Sequence, residues 1–222
     1  MLGNAQPTPY DLRFSLFGIP VRVHPLFWVI SAVMGWREDL NLTLIWIGCV
    51  FVSVLVHELG HALAARAFGW PPQIVLYAMG GYASFLPTYG YTMGRAIVTL
   101  LAGPGAGFVL FAVVYATIRL LFFSRVELSD YTVQMFDDLV FINLVWGFVN
   151  LLPVYPLDGG QISRELFSQW QGQRGLTNSL KLSLVTAAGI AAYAFSVQQT
   201  YVAVMFALLA VESYQALQQD RF

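Results

Sequence analysis

Charge is scarce in this 222-residue chain: 10% of its residues are Asp, Glu, Lys or Arg, where ordinary soluble domains carry about 25%. So few charges cannot solvate the surface of a soluble domain of this length. Eleven basic residues stand against twelve acidic ones, for a net charge of −1. No basic run or Lys/Arg-rich tail occurs, which argues against a nucleic-acid partner. Cysteine is almost absent, and the lone Cys49 can form no internal disulfide. Lying in an apolar run, it reads as a small core or lipid-facing residue. The chain also lacks an internal repeat and a low-complexity tract. Its first residues have no basic segment leading into an apolar stretch with a small-residue cleavage site, so the first span is expected to act as the insertion signal.

Apolar residues dominate instead, at 58% hydrophobic and 15% aromatic. Long apolar segments run at about Pro25–Trp36, Leu42–Phe68, Ala96–Phe123, Val133–Leu152, Leu180–Ser196 and Tyr201–Leu217. A crossing needs about 20 such residues, so the expected fold is an all-α membrane protein with about six transmembrane helices. The first segment is short for a crossing. Residues 1–222 are expected to form a single polytopic domain, with a catalytic core over about 42–160. From Phe14 to Val23, apolar and polar residues alternate around Gly18 and Pro20, which predicts a short strand or hairpin beside the membrane. Six crossings would put eight basic residues on the side holding both termini and three on the other, so both termini are expected in the cytoplasm. Trp36, Trp46, Trp70 and Trp170 lie near span ends and read as interface anchors. Tyr89-Gly90-Tyr91 reads as loop.

The stretch His57-Glu58-Leu59-Gly60-His61 follows directly on Leu40 to Val56, which carries no charge at all. On a helix, His57 and His61 stack one turn apart and can grip one metal ion from a single face. Glu58 falls beside them, placed to take a proton from metal-bound water without being a ligand. Ionisable groups at membrane depth are costly, which favours function over packing. Two histidines leave a zinc site short of a protein ligand. The candidate for the third is Asp158, in Asn150-Leu-Leu-Pro153-Val-Tyr-Pro156-Leu-Asp158-Gly159-Gly160. Pro153 and Pro156 should interrupt the fourth span, and the two glycines should allow a turn that aims the carboxylate. Taken alone, this second stretch would read as an ordinary helix end with proline and glycine punctuation. Two His and one Asp would leave a fourth position open for water, as catalytic zinc requires.

HELGH in one span and NLLPVYPLDGG in a later one resemble the paired motifs of the site-2 protease family of intramembrane zinc metalloproteases. The likeness extends to Val23-His24-Pro25, to Gly80-Gly81 and to Ala102-Gly103-Pro104, and so touches most of the chain. It implies one Zn2+ per chain held by His57, His61 and Asp158, with Glu58 as general base and acid. It also implies that Asn150 holds substrate or stabilises the oxyanion. The implied partners are a transmembrane protein substrate and the lipid bilayer, and the implied setting is regulated intramembrane proteolysis in a prokaryotic cell membrane. The resemblance is to compact members, without a PDZ-like insertion or a nucleotide-sensing domain. One departure stands out: relatives carry Asn soon after the Gly-Pro pair, where this chain has Gly105-Ala106-Gly107. A supporting contact is therefore either missing or made by Asn143.

A helical substrate hides its carbonyls, so an edge strand pairing with extended substrate would help. Ile74–Leu86, bent at Gly80 and Gly81, has the composition of such a strand or of a plain interfacial hairpin. His24 is either a ligand or gate, or an interfacial histidine bonded to backbone. Two other classes of function compete with hydrolysis: a zinc-binding membrane transporter and a catalytically silent scaffold. Neither needs a glutamate at position 58.

Overall fold

A computed structural model describes residues 6–78, 80–87 and 89–219, with the side chain of Gln173 left aside. The elements run β1 (Leu12–Leu16), β2 (Ile19–Val23), α1 (Pro25–Met34), α2 (Leu40–Ala67), β3 (Pro72–Tyr77), β4 (Gly80–Phe85), α3 (Met93–Phe123), α4 (Asp130–Phe141), α5 (Gly147–Asn150), α6 (Asp158–Gln171), α7 (Gln173–Ser196) and α8 (Thr200–Gln219). One turn of π-helix, Ile142–Trp146, joins α4 to α5. Among the described residues, five helical stretches are long and apolar enough to cross a membrane: Leu40–Ala67, Met93–Phe123, Asp130–Asn150, Arg174–Ser196 and Thr200–Gln219. The chain is therefore a multi-pass membrane protein. The sixth expected span is the ten-residue α1. At 1.5 Å per residue it is about 15 Å long, half the thickness of a hydrocarbon core.

The chain divides into two compact units, one of Met1–Tyr91 with Leu101–Gly147 and one of Thr92–Leu100 with Phe148–Phe222. The first contains the sheet, whose strand order is β1-β2-β3-β4. β1 and β2 form an antiparallel hairpin, β2 pairs with β3 in parallel, and β3 pairs with β4 antiparallel. The parallel pair is possible because α1 and α2 provide the crossover. Ile19, Val21 and Val23 of β2 alternate inward and join Ile74 and Leu76 of β3. They close a core with Phe27 of α1 and with Leu55, Leu59 and Ala62 of α2. The sheet thus rests against the same turns of α2 that carry the histidines.

Local chemistry sets several boundaries. Nδ1 of His24 accepts the Leu26 N–H at 3.1 Å and caps α1, ahead of Pro25. Its ring also meets Tyr77 edge to face. Asp39 caps α2 by accepting the Asn41 N–H at 2.8 Å. Just before that cap, Arg37 makes a two-pronged pair with Asp138 of α4, at 3.1 and 2.8 Å. The paired carboxylate raises the Arg37 guanidinium still further above its usual range.

Three expectations need correction. Trp70 is no interface anchor: it is 1% exposed, donates Nε1–H to the Tyr89 carbonyl at 2.9 Å, and stacks on Phe85 and Tyr91. Its partners lie on β4 and the following loop, invisible to a reading of span ends. Gly80 and Gly81 are not the bend of the β3–β4 hairpin, since Ala78 takes the left-handed turn position (φ 45°) and the glycines open β4. Asp158-Gly159-Gly160 is not a glycine turn either, but the first turn of α6.

Candidate metal centre

In the first unit, α2 delivers what its spacing promised. The Nε2 atoms of His57 and His61 face each other 3.0 Å apart, and the two rings lie 4.7 Å apart at 80°. Two nitrogens bound to one tetrahedral zinc at ordinary bond lengths sit about 3.4 Å apart. The pair therefore suits one shared ion with an adjustment of a few tenths of an ångström. Glu58 is 5% exposed and His61 7%, while His57 is half-buried.

Glycines on neighbouring elements make this crowding possible. A methyl group at Gly103 of α3 would lie 2.2 Å from Nε2 of His61, the very atom available for a metal. One at Gly81 of β4 would come within 2.8 Å of Cγ and 3.1 Å of Oε1 of Glu58. One at Gly60 would strike the Ala102 carbonyl at 2.2 Å, so α2 and α3 touch backbone to backbone beside the histidines. This explains Gly81 better than a turn does, since it leaves space for the carboxylate, whereas a methyl at Gly80 would meet nothing within 4 Å.

Asn143 lies in the π-helical turn and is 4% exposed. Its amide donates to Ser53 Oγ and to the Leu139 carbonyl, both at 2.8 Å. Ser53 is one turn ahead of His57 on α2, so Asn143 braces the helix that carries the two histidines. Its Oδ1 would lie 3.7 Å from a methyl on Gly107. Asn143 thus adjoins the segment where the familiar asparagine is missing, and interhelical bonding accounts for it, as expected.

The second unit holds the other stretch. Asn150 is half-buried and ends α5. The helix stops there because Pro153 and Pro156 have no N–H to continue the ladder. Asp158 opens α6, is 7% exposed, and adds negative charge at the positive end of a helix. Methyl groups on Gly159 and Gly160 would lie 2.1 Å from the Leu151 carbonyl oxygen and 2.4 Å from the Tyr155 nitrogen. The two glycines therefore let α6 fold back tightly on the irregular segment before it. As a donor set, His57, His61 and Asp158 offer two imidazole nitrogens and a carboxylate oxygen that could hold one metal ion. Two histidines and one carboxylate are the donor types found in catalytic zinc sites, which keep a position for water. Sequence reasoning missed Ser53 and the role of Gly103; a small polar residue four places before His57 was the available clue.

Comparison with known proteins follows the same lines. Residues 126–196, which include the Asn150–Asp158 stretch, match the model of Peptidase family M50. Stage IV sporulation protein FB of Bacillus subtilis is 28% identical over 92% of this chain and 68% of its own length. A zinc metalloprotease of Methanocaldococcus jannaschii is 30% identical over 73% of this chain and 47% of its own. The chain thus spans about two thirds of the first relative and about half of the second. Among solved structures, the site-2 protease from Methanocaldococcus jannaschii superposes with a TM-score of 0.63 at 23% identity, covering 94% of this chain and 95% of that one.

Proposed function

We propose that the chain belongs to Peptidase family M50, whose model residues 126–196 match, and that it is an intramembrane zinc metalloendopeptidase. It cuts a peptide bond in or near a transmembrane segment of a membrane-protein substrate. The observation that carries this reading is the facing pair of imidazoles on α2 with the buried carboxylate of Glu58 beside them. A binding site alone has no need of that glutamate.

In this reading His57, His61 and Asp158 hold one zinc ion per chain. Zinc, when bound, polarises the scissile carbonyl and lowers the pKa of water toward about 7. Glu58 takes the proton from the attacking water and passes it to the leaving amine. Asn150 holds the substrate backbone near the bond to be cut. Among the described residues β4 has a partner strand on one side only, so an extended substrate can pair along Gly80–Phe85. Burial of Glu58 and His61 keeps bulk water from the proton transfer.

Residues 1–222 act as one polytopic domain in a prokaryotic cell membrane, with both termini in the cytoplasm. Five long helices are an odd number. That orientation therefore requires α1 and its flanking residues to complete a sixth crossing, which cysteine accessibility on either side of Trp36 can test. The activity is tested by reconstituting the chain in lipid with a transmembrane substrate and comparing it with Glu58→Gln. Cleavage should vanish while bound zinc stays. Cleavage that persists removes Glu58 from the reaction, and zinc flux without cleavage assigns the site to transport instead.

A further inference from the structure

Residues 151–157 separate α5 from α6 without forming a regular element longer than a turn. In a chain that spans lipid, the backbone polar groups of such a segment need partners within the protein. Some find them locally: the Leu157 N–H donates to the Val154 carbonyl at 2.8 Å, and the Pro156 carbonyl accepts from the Gln161 side chain at 3.0 Å. Tyr155 differs, because side chains from two later helices reach both of its backbone groups. Its N–H donates to Ser183 Oγ of α7 at 2.6 Å, and Ser213 Oγ of α8 donates to its carbonyl at 3.3 Å. The two hydroxyls lie 2.7 Å apart.

Each hydroxyl has one proton to give. Ser213 can send its proton to the Tyr155 carbonyl or to that of Leu209, 2.9 Å away. Either serine can donate across their contact; when Ser183 does, its oxygen still accepts from Tyr155 and the Ser213 proton is left for a carbonyl. With Ser213 donating to Tyr155, the bonds close a ring through one residue of the irregular segment. Both serines are buried, at 1% and 0% exposure. Tyr155 is three residues before Asp158, and a methyl on Gly160 would fall 2.4 Å from its nitrogen. The first turn of α6 thus rests directly on the clamped peptide, and a shift of that peptide carries Asp158 with it.

We infer that Ser183 and Ser213 are positioning residues that set where the Asp158 carboxylate stands, and so how tightly the chain holds zinc. This rests on the reading of Asp158 as a ligand. Residues that orient ligands typically change metal affinity by about 10–100-fold when lost. Ser179 supplies the control: it is on the same helix and 2% exposed, but its hydroxyl bonds, among the described residues, to the Leu176 carbonyl of its own turn, at 2.8 Å.

The test measures zinc affinity of the full chain in detergent by competition with a chelator, together with hydrogen exchange at the Tyr155 amide. Ser183→Ala and Ser213→Ala should each weaken zinc binding about tenfold and speed exchange at Tyr155, with Ser179→Ala unchanged and Ser213→Thr restoring affinity. Wild-type affinity in both alanine variants overturns the inference, as does an equal loss in Ser179→Ala, which would signal general loosening. Asp158→Asn separates the two levels of the argument. If it binds zinc as wild type does, the ligand reading fails and the inference falls with it. If it loses zinc while the serine variants do not, the inference alone fails.

Discussion

The two stretches that supply the proposed metal donors are built in opposite ways. His57, Glu58 and His61 stand on an uninterrupted 28-residue helix, where the 3.6-residue repeat alone places one imidazole over the other. Asp158 follows a broken helix, and its segment is held by hydroxyls 28 and 58 residues further along the chain. Regular structure positions donors locally. Irregular structure at membrane depth must borrow partners from elsewhere, which makes it adjustable and also vulnerable.

The sharpest way to probe that contrast is to remove the chemistry while keeping both scaffolds. Glu58→Gln should lower the cleavage rate by about 10²–10⁴-fold, the range for loss of a general acid–base group, with zinc content unchanged by metal analysis. Next come the glycines that make room for donors. Alanine in a helix normally stabilises relative to glycine, by about 1 kcal/mol. At Gly103 the sign should reverse, because the added methyl displaces His61 and zinc affinity should fall by about tenfold or more. Gly105→Ala on the same helix, where nothing lies within 4 Å of the added methyl, should leave affinity intact. A loss of equal size at both positions would mean that α3 as a whole, not contact with the ligand, governs the site.

Arg37→Ala tests whether the first unit is uniform along α2. The pair with Asp138 joins the start of α2 to α4, and Asp138 is 4% exposed. Removing the charged partner of a buried carboxylate costs about 3–5 kcal/mol, less here because the Gln134 amide still donates to Asp138 at 2.9 Å, so the thermal midpoint should drop, with zinc affinity measured below that midpoint unaffected. The smallest effect concerns Asp11, outside the spans. Its withdrawal from water pushes the carboxyl up, but hydrogen bonds from Thr8 and Arg22 hold it well below the usual range. A lowered folded-state value means stability that is present above about pH 4 and lost as pH falls below it. Asp11→Asn should flatten that part of a midpoint-against-pH curve, and an unchanged curve would remove Asp11 from the account.

Much of this was legible in the residues, for identifiable reasons. The hairpin over Phe14–Val23 followed from alternation around Gly18, and the five long spans followed from apolar length. The ends of α2 at Leu40 and Ala67 lie within two residues of those expected. Helix α6 was not foreseen, because its mixed face gives no long apolar run and the glycines at its start look like a turn. Trp70 was misjudged because a tryptophan near a span end is indistinguishable in sequence from one stacked between Phe85 and Tyr91.

Sequence by itself determined the donor types, the one-turn spacing of the histidines with the glutamate between them, and the lipid surroundings, since each depends only on neighbours along the chain. Tertiary structure alone decided that Gly103 and Gly81 leave space for His61 and Glu58, that Asn143 braces the ligand helix through Ser53, and that two distant serines hold the peptide ahead of Asp158. Close approach and hydrogen bonding between remote segments depend on packing, and packing has no one-dimensional pattern to read.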